Sequence, residues 1–278
     1  MRKIKASKIV EIVAKMCEDA NINLSQDTVW AIRSAVLREK NKRAEEILKV
    51  YLENAEIAKK EGLPICQDTG TAVFFVELGD KVFVEGNLKN AIYEGVKKGY
   101  KNLRQSIVKE PFINRDNTCD NTPAIIHTDF VKGDKIKITF LPKGGGAENM
   151  SALKMFSPSA SEEDVIDFVV ETVKKSGAKA CPPIVVGVGM GGNFEASAIL
   201  AKKALARKVG GKNRNKKYAS LERKILDKIN KLNIGAQGFG GNVSAFAVHI
   251  EFLGCHIASL PVAVNLNCHA NRHTSKVI

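Results

Sequence analysis

Cysteines 66, 181 and 268 each stand where a loop meets regular structure, in Pro64-Ile65-Cys66-Gln67-Asp68-Thr69-Gly70, Ala180-Cys181-Pro182-Pro183 and Asn265-Leu266-Asn267-Cys268-His269. A thiol that serves only as a small hydrophobe belongs on the apolar stripe of a helix or strand, the reading given to Cys17. Turns built from Pro, Gly, Gln and Asn can instead aim sulfur and backbone N–H groups at one point, which suits ligation of a cofactor. Residue type alone leaves both readings open. No Cys-x-x-Cys pair occurs, which disfavours a structural zinc ribbon. Three thiolates on a four-iron cluster would leave one iron open as a Lewis acid, whereas four would close it for electron transfer. Asp68, two residues beyond Cys66, could act as a general base or merely close an Asx turn before Thr69-Gly70.

The run Ile184 to Gly192 contains G-x-G-x-x-G after a strand-like stretch and before a helical one, the context of a dinucleotide site. Such a site also needs an acid about 20 residues on to hold the ribose. Leu205-Ala206-Arg207-Lys208 offers none, so the glycines are read as letting backbone N–H groups approach a carboxylate or a cofactor. His127 and His249 fall in strand-like runs as ordinary half-buried residues. His269 and His273 could be metal ligands on spacing alone.

The elements that must position these groups change character along the chain. Residues 1–62 read as helical throughout, with Ser7 and Ser25 as caps and Ile47, Leu48, Tyr51, Ala55 and Ala58 as a third helix's buried stripe. Gly62 followed by Pro64 stops that helix. Thr71–Val76 and Val82–Val84 read as a hairpin across Gly79-Asp80. Helix over 88–100, strands Ala124–His127 and Lys135–Phe140 around the Gly133-Asp134 turn, and a helix capped by Ser161 with Asp164 and ended by Gly177 follow. Two more helices, 194–208 and 217–231, and strands Val243–Phe252 and Leu260–Leu266 complete the pattern. The fold class is α/β in the mixed α+β sense, a single domain over 1–278. A helical N-terminal lobe of about 1–62 precedes a body of about 63–278 with partly antiparallel sheets flanked by helices.

At 278 residues, 44% hydrophobic and 26% charged, the chain can bury a sizeable core, and bulk disorder is excluded. Its 43 Lys and Arg against 30 Asp and Glu leave a formal charge of +13, which favours anionic partners. Ten basic residues crowd between Lys202 and Lys224 with Glu222 the one acid and Tyr218 the one aromatic. Without interleaved aromatics, a solvated Lys-rich helix face is the better reading than a nucleic-acid site. No stretch reaches the ~18 apolar residues of a membrane span. Lys8, Glu11 and Lys15 break up the N-terminal apolar residues, so no signal core is expected there, and the cytoplasm, with reduced cysteines, is the expected compartment.

Taken together, Pro-Ile-Cys-Gln-Asp-Thr-Gly at 64–70, Lys-Gly-Gly-Gly at 143–146, Ala-Cys-Pro-Pro and Gly-x-Gly-x-Gly-Gly within 180–192, Gly-Ala-Gln-Gly-Phe-Gly-Gly at 235–241 and the Cys268 segment resemble the α subunit of class I iron–sulfur fumarate hydratase, to which L-tartrate dehydratase α is similar. The resemblance runs along essentially the whole chain. It implies a hydro-lyase of the tricarboxylic acid cycle that interconverts (S)-malate with fumarate and water, L-tartrate being the alternative substrate. It further implies a 4Fe-4S cluster on loops at the centre of the fold, held by Cys66, Cys181 and Cys268 with one iron open. Asp68 would be the base at C3. Arg104, His256, Gln67 and the backbone of Gly144, Gly145 and Gly146 would meet the substrate. Cys119 departs from the pattern, standing where the family is expected to carry glycine. Members that work as one chain continue into a second domain with further substrate-binding residues, so the resemblance implies a separate β subunit and an α2β2 assembly. A basic nucleic-acid-binding protein with structural cysteines is the alternative of another class.

Overall fold

In the computed structural model, which describes residues 1–278, the elements in chain order are β1 (Arg2–Lys5), α1 (Ala6–Ile22), α2 (Gln26–Arg38), α3 (Lys42–Glu61), β2 (Thr71–Gly79), β3 (Val82–Glu85), α4 (Leu88–Gly99), β4 (Ile125–Val131), β5 (Ile136–Lys143), α5 (Gly145–Glu148), β6 (Ala152–Phe156), α6 (Glu162–Ser176), β7 (Ile184–Gly192), α7 (Phe194–Ala204), α8 (Lys216–Lys231), β8 (Ala245–Cys255), β9 (Leu260–Asn267) and β10 (Thr274–Val277). Mixed α/β is therefore the observed class. The chain forms two units. Unit 1 is Met1–Ser25, Ala55–Gly145 and Arg272–Ile278; unit 2 is Gln26–Asn54 and Gly146–Asn271. Each has its own apolar core.

In unit 1, Ile9, Val13 and Met16 recur at helical spacing and are buried, making α1 one wall of the core against α4. The four-stranded sheet has the order β10-β5-β2-β4, with β2 parallel to β4 and antiparallel to β5. Its central strands carry Phe74 and Phe140, whose rings stack at 4.9 Å. In unit 2 the sheet order is β6-β9-β7-β8, with β7 antiparallel to β9 and parallel to β8. The Ser161–Asp164 capping box forms as expected at the start of α6, and Gly177 ends that helix with φ 49°. Gly62, with φ 68°, likewise follows α3.

Four expectations are corrected. The first residues are not helical: Arg2–Lys5 pair in parallel with β3, burying Ile4, and α1 starts at once, with Lys5 in the cap position and Ser7 inside the first turn. Thr71–Val76 and Val82–Val84 are not a hairpin, because both edges of β2 are taken by β4 and β5 while β3 pairs with β1. The Gly79-Asp80 turn bonds instead to the end of β4 and the loop after it, through Asp80 N–H to Val131 O and Lys81 N–H to Gly133 O. The strands around Gly133-Asp134 are likewise separated by β2. Helix α7 ends at Ala204, four residues short of the expected 208.

The glycine run of β7 is explained by close packing. A Cβ on Gly187 would sit 2.1 Å from Ala201 O, and one on Gly189 would sit 1.9 Å from Ser197 O, so α7 rides directly on the strand backbone. Strands β7 and β8 are parallel and joined through α7 and α8, so part of a nucleotide-site context is met, but the ribose acid is not. Gly189→Ala is expected to destabilise the protein by about 3 kcal/mol, read as a lower urea midpoint. An unchanged midpoint would remove this packing account.

Candidate functional site

The loop from Pro64 to Gly70 leads from α3 into β2 in unit 1, and its backbone is tied down at Ile65, Asp68, Thr69 and Gly70. Ile65 N–H donates to Asn21 O, Tyr100 Oη donates to Thr69 O at 2.9 Å, and Asn121 Nδ2 donates to Gly70 O at 3.2 Å. Thr69 Oγ1 donates to Arg104 O, which couples this loop to the segment carrying Arg104. Buried Arg272 donates from Nη2 to Asp68 O at 2.7 Å and from Nη1 to Asn21 Oδ1 at 2.8 Å. Sequence reasoning singles out neither Arg272 nor Asn21. The only hint in the sequence was an Arg four residues beyond Cys268, and nothing there places it under residue 68.

Asp68 is held at both oxygens. Oδ1 accepts from Gly70 N–H at 3.0 Å, closing the Asx turn, and Oδ2 accepts from Gly145 N–H at 2.7 Å. Each oxygen keeps a second lone pair. A Cβ on Gly144 would stand 3.0 Å from Oδ2, so a side chain there would crowd the carboxylate. Asp68 N–H itself points to Cys66 Sγ at 3.4 Å. Gln67, Asp68 and Arg104 share the wall of a cavity of about 300 Å³ with Gln105, Ser106 and Asn117. Arg104 is exposed and makes no ion pair. A larger cavity, about 480 Å³, lies in unit 2 and touches none of the candidate residues. Size therefore does not pick the site; a carboxylate and an unpaired guanidinium lining one cavity do.

In unit 2 the register pairs Val185 with Asn267, which brings the chain before β7 and the chain after β9 to the same end of the sheet. Cys181 and Cys268 are those flanking residues. His269 binds there twice to Cys181 O, through its N–H at 3.1 Å and its ring Nδ1 at 3.2 Å. Its ring stacks on Tyr51 of α3 at 3.7 Å between centroids, and Tyr51 Oη donates to Pro182 O. Burial pushes the Tyr51 phenol well above its ordinary range; a hydrogen bond with Gln237 pulls it down, and charge on Cys181 and Cys268 pushes it up. Cys181 has φ 52°, a left-handed conformation that costs a non-glycine residue energy and collects at functional loops. The 235–241 glycine run packs here too, with Gln237 N–H on Pro182 O. Tyr51 and His269 thus frame the two cysteines, although spacing had marked Tyr51 only as a core residue.

Not every candidate joins these groups. His256 is exposed in the turn between β8 and β9, its Nδ1 accepting from Ala258 N–H. That turn lies at the opposite end of β9 from Cys268, about 25 Å away over eight residues. A Cβ on Gly146 would meet Lys179 O, not Asp68. Within either unit no three His, Cys, Asp or Glu side chains gather as ligands of a single ion. Cys66, Cys181 and Cys268 are all half-buried free thiols on loops, Cys17 is fully buried in the unit 1 core, and Cys119 and Cys255 are exposed. Cys119 has φ 64°, a left-handed backbone that favours glycine.

Residues 10–277 match the profile of the family described as fumarate hydratase (Fumerase). A Methanocaldococcus jannaschii protein provisionally named L(+)-tartrate dehydratase subunit alpha is 42% identical over 280 residues, spanning 98% of each chain. The L(+)-tartrate dehydratase subunit alpha of Escherichia coli strain K12 is 30% identical over 276 residues, 98% of this chain and 91% of that one. Its counterpart in strain UTI89 is 31% identical over 270 residues, 96% and 89% of the two chains. A profile match over nearly the whole chain, with relatives of similar length, establishes that this chain belongs to the fumarate hydratase (Fumerase) family and is a hydro-lyase.

Proposed function

We propose that the chain is the α subunit of a hydro-lyase that interconverts (S)-malate with fumarate and water. The observation that carries the reading is the Asp68 carboxylate, fixed by two backbone N–H groups and facing a cavity it shares with Arg104 and Gln67. Dehydration removes a proton from C3 and the hydroxyl from C2. We assign the proton to Asp68, which takes it on the lone pair that its backbone donors leave free. Arg104 pairs with a substrate carboxylate and offsets the charge that builds as C3 loses its proton, and Gln67 donates beside it. Arg272 acts behind Asp68, holding the loop that carries it.

Three half-buried loop thiols, one of them accepting an N–H, form a donor set that fits an iron–sulfur cluster; the ligands of a cubane bind separate irons and need not converge as those of one ion do. We assign Cys66, Cys181 and Cys268 to a 4Fe-4S cluster, which when bound supplies a Lewis-acidic iron at the substrate hydroxyl. The relatives are named as alpha subunits, which supports a separate β partner and, in our reading, an α2β2 assembly in the cytoplasm. No helix is long and apolar enough to cross a membrane.

L(+)-tartrate is a second substrate reading, favoured by the names of the relatives and by the polar Gln105, Ser106 and Asn117 beside Asp68, which could bond an extra hydroxyl. The test is anaerobic purification with and without the β partner, iron and sulfide analysis, and kinetics on malate, fumarate and both tartrate enantiomers. Iron-free protein that turns over none of them after anaerobic reconstitution would overturn the reading; preference for tartrate over malate would move it to the second substrate. Arg104→Leu is expected to lower kcat/KM about 10- to 100-fold, through both KM and kcat, because a contact to the substrate carboxylate that strengthens as charge builds is lost. Unchanged kcat/KM would free Arg104 of that role.

A further inference from the structure

Strand β8 is an edge strand, bonded only to β7. At Ile250 its outer edge is capped by side chains: the N–H donates to buried Glu222 at 2.8 Å, and the carbonyl accepts from Asn213 and Arg207. At the strand's start, Ser244 and Ala245 N–H groups donate to Asn230 Oδ1. Both caps come from α8 and the loop before it. Between them no cap bonds to the outward main-chain groups of Val248. Along a strand the backbone groups of every second residue face the same side, and the register is regular from Ala247 to Leu253, so Val248 N–H and C=O point outward as those of Ile250 do. Phe246–Val248 leave about 10 Å of edge open.

That open edge forms one wall of the cavity of about 480 Å³, with Arg223 and Leu226 of α8 on another wall. Lys212 and Lys216 also line it. Lys202, Arg207 and Lys224 of the same basic run are paired with Glu148, Glu222 and Glu162. Lys212, Lys216 and Arg223 are exposed and make no ion pair. An apolar floor, an unpaired main-chain donor and acceptor, and three free cations at the same place select an occupant that is extended, has a backbone, and is acidic.

We propose that this cavity binds an extended, acid-rich peptide segment of a partner protein, which adds to the outer edge of β8 at Val248 and sets its carboxylates against Lys212, Lys216 and Arg223. The segment docks as a short extra strand, its alternate side chains lying over Phe246 and Leu226. This site is independent of the catalytic reading, since it shares no residue with it.

The probe is a fluorescently labelled acetyl-Glu-Val-Asp-Val-Glu-amide, titrated into the full chain and followed by anisotropy. Saturable binding that weakens with salt is expected, together with slowed hydrogen exchange at the Val248 amide. N-methylation of the peptide's central residues removes backbone donors without touching charge and is expected to weaken binding about tenfold or more. The triple variant K212E/K216E/R223E, or Arg223→Gln alone if the triple variant misfolds, is expected to weaken binding while leaving hydro-lyase turnover unchanged. No saturation up to about 1 mM peptide, or equal binding of the N-methylated peptide, would overturn the proposal. So would citrate or a random RNA oligonucleotide displacing the peptide with equal affinity, since either would make this a general anion patch.

Discussion

Asp68→Asn is expected to cut kcat by about 10²- to 10⁴-fold while KM and iron content stay near normal. The substitution separates the two roles that the structure gives this residue. As the closing group of an Asx turn, Asn serves as well as Asp, because its side-chain oxygen can still accept from Gly70 N–H. Its amide nitrogen cannot accept from Gly145 N–H, so one hydrogen bond is lost, worth about 1 kcal/mol of stability. A purely structural Asp68 would therefore show a modest stability change and nearly full turnover. A base at this position loses the group that holds the proton, and no relaxation of the loop restores it. Arg272 and Tyr100 still bind the backbone of residues 68 and 69 in the variant, so the cavity keeps its shape and substrate binding survives. Exchange of the malate C3 proton with deuterated solvent should fall along with kcat. A variant with near-normal kcat would contradict the assignment whatever its stability.

What could be read from the chain beforehand was whatever is decided within a few residues. The Ser161–Asp164 box, the Gly177 and Gly62 stops and the buried face of α1 depend on local spacing, and each formed as expected. Strand pairing depends on which edges meet in space, and there local turn chemistry misled: Gly79-Asp80 has the composition of a hairpin turn, yet β2 is claimed on both sides by strands from 46 or more residues on. The same limit divides the site. Cys66, Gln67 and Asp68 lie in one motif and were visible together. The Arg272 side chain, which braces them from about 200 residues away, and the Tyr51–His269 stack at Cys181 are contacts between distant segments that no spacing reveals.

Cys181→Ser is expected to leave a folded protein that cannot hold its iron: loss of iron, acid-labile sulfide and visible absorbance, and with them turnover. Serine is nearly isosteric and can occupy the left-handed backbone at 181 at much the same cost as cysteine, and the backbone bonds from Cys181 O to His269 do not use the sulfur. The fold should therefore change little, within about 0.5 kcal/mol. The chemistry changes outright, because a metal ligand must be deprotonated and a serine hydroxyl is far harder to ionise than a thiol. The remaining cysteines give the contrast. Cys119→Ser and Cys255→Ser alter exposed thiols and should keep full iron. Cys17→Ser puts a hydroxyl into the unit 1 core, where burial already pushes the thiol well above its ordinary range, so it should cost about 1–3 kcal/mol of stability and no iron. Iron loss should thus follow Cys66, Cys181 and Cys268, and stability loss should follow Cys17. A Cys181→Ser protein that retains the iron and sulfide of the unaltered chain would remove Cys181 from the ligand set.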